Sequence, residues 1–210
     1  AGARDALILA SMIKAAKQQA DLVVFSELAL CGYYPGDWLE DLAFLHKMDV
    51  ALEKIKKATR RLPNLVVVLG TVRKNKSPGK PLHNALLALQ NGQIVAEYYK
   101  QLLPTYGIFD EYRHFEPGPE GACLLQVKGH SVGFLICEDG WNQQGAYYKI
   151  NAFNALRVQK PDLVISINAS PSDIGKRAQR HALFGAASAN NDLPLLYVNQ
   201  IGGQDQLVFD

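Results

Sequence analysis

Apolar residues recur along the chain at two spacings, one typical of helices and one typical of buried strands. Between residues 4 and 20, Leu9, Met12 and Ile13 fall on one face of an amphipathic helix. Residues 21–25 are almost continuously apolar, as in a short strand buried on both faces. The same two patterns predict further helices at 39–61, 144–159 and 176–190, and further strands at 65–72, 86–90, 94–99, 124–127, 132–136, 162–167 and 194–199.

A hairpin is predicted where Asn91-Gly92 separates the strands at 86–90 and 94–99, since this dipeptide favours a two-residue turn. Elsewhere, buried strands alternate with helices, which is the pattern of sheets whose faces are covered by helices. Together the two signals predict an α/β fold with mixed sheets.

Composition narrows the class of protein. The 210 residues, 48% hydrophobic and 20% charged, suit one soluble globular domain, and the net charge of +2 does not indicate a nucleic-acid-binding surface. We expect neither a membrane segment nor a secretory signal, because no apolar run approaches about 20 residues and no basic–apolar start is recognisable. Cys31, Cys123 and Cys137 cannot all pair and form no Cys-x-x-Cys motif, so we expect a cytoplasmic protein without a metal site.

Candidate chemistry lies at three strand ends. Glu27, Lys100 and Cys137 each follow an apolar strand and each precedes a glycine-containing loop. Because strand ends of α/β sheets converge at one edge, these side chains could form one unit. The carboxylate could take the thiol proton, and the ammonium could stabilise an oxyanion during attack on an amide or nitrile carbon.

Ordinary structural explanations exist for each of these residues taken alone. A cysteine on a strand is usually a small core hydrophobe, and this interpretation is kept for Cys31 and Cys123. A glutamate after a strand is usually a solvated turn residue, and a lysine after a hairpin strand is usually on the surface. Their joint placement favours the catalytic interpretation.

The flanking residues add a family resemblance. Phe25-Ser26-Glu27-Leu28, Lys100-x-x-Leu103-Pro104 and Ile136-Cys137-Glu138-Asp139 resemble, in order and spacing, the three signature blocks of the nitrilase/carbon–nitrogen hydrolase superfamily. Ser26 departs from that pattern, which usually has proline before the glutamate, and we expect this to alter the stiffness of the loop. The resemblance covers nearly the whole chain and implies a four-layer α-β-β-α sandwich with two mixed sheets.

One branch of the superfamily is closer than the others. Residues 28–35, 103–115, 137–141 and 198–210 resemble the glutaminase domain of glutamine-dependent NAD synthetases, and the last two blocks discriminate best. The resemblance implies glutamine hydrolysis that supplies ammonia to a separate synthetase domain, where ATP and Mg²⁺ serve the amidation of deamido-NAD.

The same resemblance implies roles for single residues. Glu27 would be the general base, Lys100 would stabilise the oxyanion, Cys137 would form the glutamyl thioester, and Glu111 would orient the lysine. The backbone N–H of Glu138 would be a second oxyanion donor.

The glutamine pocket is implied in the same way. Four side chains match positions that line it, namely those of Tyr33, Tyr106, Glu138 and Ser170. A glutamine α-carboxylate needs a cation, and Lys176 and Arg177 both remain candidates. For Tyr33 and Tyr106 the alternative is simple loop packing.

Three hypotheses about function therefore stand. The first is the glutaminase portion of a glutamine-dependent NAD synthetase, as one domain over residues 1–210 that is incomplete at both ends and forms an oligomer. In that case the chain itself holds no cofactor, because Gly202-Gly203-Gln204-Asp205 lacks the serines of an ATP-pyrophosphatase loop. The second is a stand-alone nitrilase-type amidase or carbamoylase. The third is a non-catalytic binding or scaffold module.

Overall fold

Four α-helices occur in residues 2–142 and 147–210, the parts of the chain that the computed structural model describes. None of these helices combines the length and apolarity that crossing a membrane requires. Side-chain caps fix two of their N-termini: Asp41 accepts the Ala43 N–H at 2.8 Å, and Asn151 accepts the Asn154 N–H at 2.9 Å. The helices are α1 (Gly2–Lys17), α2 (Leu42–Thr59), α3 (Ala152–Gln159) and α4 (Lys176–Asn191).

The first sheet contains four strands in the order β1-β2-β3-β4. Its β1 and β2 are parallel, whereas β2–β3 and β3–β4 are antiparallel. The predicted Asn91-Gly92 hairpin joins β3 to β4, with φ of 47° and 76° at the two turn residues. The strands are β1 (Leu22–Val24), β2 (Val66–Lys74), β3 (Leu82–Gln90) and β4 (Gln93–Tyr99).

The second sheet also contains four strands, in the order β5-β6-β7-β8. Its first pair is antiparallel and the other two pairs are parallel. A separate two-stranded hairpin, β9 (Gly202–Gln204) and β10 (Leu207–Phe209), follows it and was not predicted from the sequence. The four strands of the second sheet are β5 (Leu124–Val127), β6 (His130–Ile136), β7 (Leu163–Ile167) and β8 (Leu195–Val198).

Alternation along the strands builds the layers. Val66 and Val68 of β2 pack with Phe134 and Ile165 of the second sheet, so the two sheets bury their inner faces against each other. The intervening residues of β2 pack with α1 and α2, and the outer face of the second sheet packs with α3 and α4. The result is an α-β-β-α sandwich of two mixed sheets, which confirms the predicted fold class.

Two predicted helices begin later than expected. The helix predicted at 144–159 starts at Ala152; residues 143–146 lie outside the described residues, and residues 147–151 are not helical. Asn142 explains the late start, because its amide donates to the carbonyls of Tyr148 and Ile150 at 2.9 and 2.7 Å. The helix predicted at 39–61 starts at Leu42, because the extended cap residue Asp41 separates it from a 3₁₀ turn.

Candidate active site

The three strand-end residues lie in one buried region. Since β4 is antiparallel to β3 and β3 to β2, β4 runs in the same direction as β1, and both strands end at the same sheet edge. Glu27 follows β1 and Lys100 follows β4. Cys137 opens a 3₁₀ turn directly after β6 of the facing sheet. All three are buried, and the charges of Glu27 and Lys100 act on the Cys137 thiol, so side chains from both sheets lie in one region.

Lys100 is held between two carboxylates. Its Nζ donates to Glu27 Oε1 and to Glu111 Oε1, each at 2.7 Å, and all three side chains are fully buried. Burial lowers the pKa of Lys100, but the charges of Glu111 and Glu27 more than offset this and raise it well above its usual value. The lysine is therefore a fixed ammonium ion that is shielded from bulk solvent.

The pKa of Glu111 is also raised, which for a carboxyl group favours the neutral form. Burial raises its pKa from 4.5 to about 7; Lys100 lowers this pKa and Glu27 raises it. The Tyr33 hydroxyl donates a hydrogen bond to Glu111 Oε1 at 2.7 Å. The hydroxyl proton of Tyr33 is thus engaged with Glu111, and its place as a glutamine-pocket residue stays a prediction.

Two further groups fix Glu27. Asn84 on β3 donates from Nδ2 to Glu27 Oε1 at 2.8 Å, and the backbone N–H of Ala169 donates to Oε2 at 2.9 Å. Register explains the position of Asn84, because Ala85 pairs with Tyr99 and the Asn84 carbonyl accepts the Lys100 N–H at 2.9 Å. Asn84 was not among the predicted site residues, although an amide within an apolar strand is a usable signal.

The Cys137 backbone is in the left-handed region, with φ of 42°. This conformation is uncommon for a residue other than glycine and is typical of functional turns. Burial raises the pKa of the Cys137 thiol well above its usual value, and the charge of Glu27 raises it further while Lys100 lowers it. The resting nucleophile is therefore a neutral thiol, and attack requires a base.

Asp139 anchors the turn that begins at Cys137 and was not among the predicted site residues. Its Oδ1 accepts the backbone N–H groups of Gln101 and Leu102 at 3.0 and 2.8 Å. Its Oδ2 accepts the Tyr98 hydroxyl at 2.8 Å and the Ile136 N–H at 3.2 Å. One carboxylate therefore links the cysteine turn to the segment that follows Lys100.

Glu138 lies beside the nucleophile and is surrounded by phenols. Tyr106 donates to both of its carboxylate oxygens at 3.0 Å, and Tyr148 donates to Oε1 at 3.0 Å. Tyr148 was not among the predicted site residues. The arrangement leaves an anionic, hydrogen-bonded wall next to Cys137.

Ser170 is buried and packs against a cation that was not predicted. Arg180 on α4 donates from Nε to Ser170 Oγ at 3.2 Å and pairs with Asp210 Oδ1 at 2.7 Å.

The two predicted cations lie in different surroundings. Lys176 places Nζ 4.0 Å from the ring centroid of Trp141, which follows the cysteine turn. Arg177 is exposed and lines a cavity of about 610 Å³ between α4 and β8.

Gly70 on β2 allows the Glu27 turn to approach closely. A Cβ atom at this position would lie 2.6 Å from Leu28 N and 2.8 Å from Glu27 Cα, and closer still to the Ser26 carbonyl. Any side chain at Gly70 would therefore displace the backbone that carries Glu27.

Relatives of this chain were found by both sequence and structure. The glutamine-dependent NAD(+) synthetase of Xanthomonas campestris pv. campestris is 40% identical over 193 residues, 91% of this chain and 33% of the relative. That of Synechocystis sp. is 34% identical over 211 residues, 97% of this chain and 37% of the relative. The chain thus spans about a third of the length of the curated relatives that it matches.

Solved structures give the same fold. The glutamine-dependent NAD+ synthetase of Acinetobacter baumannii in complex with ADP superposes with a TM-score of 0.88 at 32% identity, covering 100% of this chain and 37% of that one. An amidase of the nitrilase superfamily from Nesterenkonia AN1 superposes with a TM-score of 0.84 at 21% identity, covering 100% and 74%. Residues 5–209 match the carbon–nitrogen hydrolase family. Since this match covers nearly the whole chain, the protein belongs to the carbon–nitrogen hydrolase family.

Proposed function

We propose that this chain hydrolyses glutamine through a Cys137 thioester and supplies ammonia to a synthetase domain that amidates deamido-NAD. The observation that carries the proposal is the buried Glu27–Lys100–Glu111 network beside a neutral, backbone-strained thiol. The choice of glutamine rests on the similarity to glutamine-dependent NAD synthetases at 34–40% identity.

In the first half of the reaction, Cys137 Sγ attacks the carboxamide carbon of glutamine while Glu27 takes the thiol proton. Lys100 and the backbone N–H of Glu138 stabilise the oxyanion that forms. Glu27 then gives its proton to the leaving nitrogen, the carbon–nitrogen bond breaks, and ammonia departs from the glutamyl thioester.

In the second half, water replaces ammonia. Glu27 takes a proton from the water, which attacks the thioester carbon, and the sulfur leaves with that proton as the thiol of Cys137. Glutamate is released. Glu111 touches Lys100 throughout and acts by holding the ammonium in place, so it positions another group and does not itself exchange protons.

The two ends of the substrate need opposite charges. Glu138, with Tyr106 and Tyr148 on its oxygens, is suited to bind the α-ammonium of glutamine. Between the two predicted cations, the contact with Trp141 favours Lys176 for the α-carboxylate, because it holds the ammonium next to the cysteine turn. The charge of Arg180 is already compensated by Asp210.

The proposal includes partners outside this chain. Ammonia would pass to the synthetase domain, which would use ATP and Mg²⁺, and the enzyme would be a cytoplasmic oligomer. The use of ATP and Mg²⁺ is inferred from the resemblance to NAD synthetases, the oligomer from the superfamily, and the cytoplasmic location from the three free cysteines. Each can be tested separately from the hydrolysis of glutamine.

The experiment compares Cys137→Ala with Cys123→Ala in the complete protein that contains this chain. We expect Cys137→Ala to abolish glutamine-dependent NAD formation and glutamate release, while NAD formation from added ammonium chloride persists. Cys123→Ala, a half-buried thiol outside the network, should leave both activities intact. Glutamine-dependent activity that survived in Cys137→Ala would disprove the assignment, and hydrolysis of small amides but not glutamine would favour a stand-alone amidase.

A further inference from the structure

A cluster of one histidine and two carboxylates lies outside the proposed active site. Asp37 and Glu40 belong to the 3₁₀ turn Gly36–Glu40, and His114 follows the turn Glu111–Arg113. One ligand atom from each of the three side chains lies within 4.8 Å of the other two. The His114 side chain is 5% exposed, whereas those of Asp37 and Glu40 are 70% and 63% exposed.

The hydrogen bonds of His114 are consistent with a lone pair on Nε2. Tyr34 has one hydroxyl proton, and it donates this proton to the Asp110 carbonyl at 3.0 Å. The same oxygen lies 2.7 Å from His114 Nδ1 and accepts from Nδ1–H in the tautomer that carries the ring proton there. In that tautomer the lone pair is on Nε2, which is the arrangement of metal-binding histidines.

The Nε2 atom is buried and makes no hydrogen bond within residues 2–142 and 147–210. It lies 3.5 Å from Asp37 Oδ1 and 3.3 Å from Glu40 Oε1. Two carboxylate oxygens facing this buried nitrogen need a positive charge between them, which either a proton on Nε2 or a bound metal ion supplies. The separations also fit a shared ion, since ligand atoms at about 2.1 Å from a tetrahedral metal lie about 3.4 Å from one another.

We propose that His114 Nε2, Asp37 and Glu40 bind a divalent transition-metal ion of the Zn²⁺ type, with water completing its coordination. One imidazole and two carboxylates suit Zn²⁺ better than Mg²⁺ or Ca²⁺, which prefer oxygen ligands alone. No motif along the chain marks this site, because the three ligands come from two loops separated by about 75 residues.

The metal ion would join two loops that reach the catalytic network. Tyr34, which orients His114, is adjacent to Tyr33, and Tyr33 donates to Glu111 at 2.7 Å. Glu111 in turn opens the 3₁₀ turn that precedes His114. Binding would therefore stabilise the loops that hold Glu111, without contact between the ion and the substrate.

Arg113 is an internal competitor for the same anions. One of its guanidinium nitrogens lies 2.9 Å from Asp37 Oδ1 and 3.8 Å from Glu40 Oε1. Its side chain is half exposed and can turn into solvent when a metal ion binds. Removing this charge should therefore strengthen metal binding, whereas a purely structural ion-pair cluster would lose a stabilising contact.

The test is calorimetric titration of the wild-type protein with ZnCl₂, alongside the variant Asp37→Asn/Glu40→Gln. Both of these side chains are exposed, so the double variant should fold even if His114→Gln does not. We expect one site whose affinity falls at least about tenfold in the double variant, a loss of the size that even outer-shell changes produce. The matched control is His130→Gln, an exposed histidine 4.0 Å from the single carboxylate of Asp162, which should bind Zn²⁺ as the wild type does.

Further measurements distinguish a metal site from a structural ion-pair cluster and from metal binding by cysteine thiols. Arg113→Gln should bind Zn²⁺ several-fold more tightly, and saturating Zn²⁺ should raise the melting temperature of the wild type by roughly 5 °C. A Co²⁺ titration should show no thiolate-to-metal charge-transfer band. Equal Zn²⁺ affinity in the wild type and the double variant, weaker binding in Arg113→Gln, or a thiolate band that accounts for all binding would each overturn the proposal.

Discussion

Glu27→Gln is the sharpest test of the thiol chemistry, because it should change hydrolysis and alkylation in opposite directions. Without a base for the neutral Cys137 thiol, glutamine hydrolysis should fall by about 10²–10⁴-fold. The charge of Glu27 also raises the pKa of the Cys137 thiol. Removing that charge lowers this pKa, so iodoacetamide should alkylate Cys137 faster at a given pH even though the enzyme is inactive.

The structural cost of this change can be worked out from the contacts of Glu27. Its Oε1 accepts from Lys100 and Asn84, and its Oε2 accepts the Ala169 N–H. A glutamine oxygen can keep the first two bonds, but its NH₂ group would oppose the Ala169 N–H and leave that donor unpaired. We expect a loss of about 1–3 kcal/mol in the free energy of unfolding, or about 2–12 °C in melting temperature.

The assay combines glutamate release with peptide mapping of iodoacetamide adducts between pH 6 and about 10, a range that spans the usual thiol pKa. Cys123 is an internal control, because burial alone raises its pKa and Glu27 does not act on it. Alkylation of Cys137 that stays unchanged or slows in Glu27→Gln would refute the electrostatic argument. Hydrolysis that falls by less than about tenfold would refute the role of Glu27 as the base.

Three further variants test the surroundings of the network. Lys100→Met should cost about 3–5 kcal/mol, because it leaves two buried carboxylates without their ammonium. Since the native pKa of Glu111 is raised from 4.5 to about 7 even with Lys100 present, ionising Glu111 disfavours the folded state. Urea unfolding should therefore show a larger loss at pH 8 than at pH 5, and a smaller loss at pH 8 would contradict the argument. Gly70→Ala should lower kcat by about 10²-fold through displacement of the Glu27 turn. The control Gly185→Ala, where an added Cβ meets nothing within 4 Å, should leave kcat unchanged. Equal kcat in the two variants would contradict the role of Gly70. Asp139→Asn should cost about 1–3 kcal/mol, because its new NH₂ group would oppose the Ile136 N–H, and an unchanged thermal melt would count against the anchoring role.

The fold class was predictable because local patterns determine it. Continuous apolar strands such as β2 need cover on both faces, and the alternation of such strands with helices leaves few architectures. The starts of two helices were predicted wrongly, because in each case one side chain overrides the hydrophobic pattern. Asn142 binds the backbone of the segment before α3, and Asp41 ends the 3₁₀ turn before α2. Neither effect appears in hydrophobic periodicity, because both depend on hydrogen bonds of single side chains.

The candidate site was predictable in its ionisable residues and not in the groups that hold them. Glu27, Lys100 and Cys137 stand at strand ends, which is a signal along the chain. Asn84 and Asp139 hold them through register and long-range hydrogen bonds, over 57 residues from Asn84 to Glu27 and 37 from Asp139 to Leu102. Such partners become visible only when the strands are paired.

The net charge of the buried group before and after attack explains why Lys100 needs two carboxylates. Above the pKa of Glu111, Lys100 faces ionised Glu27 and Glu111 before attack and the thiol is neutral, so the group carries one net negative charge. After attack the proton is on Glu27, and the negative charge is on the oxyanion, so the net charge of the buried group is the same. The reaction therefore moves charge from Glu27 to the substrate while the ammonium stays in place, which is the condition under which a pre-organised site avoids reorganisation energy. Without Glu111, the protonation of Glu27 would leave the Lys100 ammonium with no carboxylate contact at the moment when its position matters most.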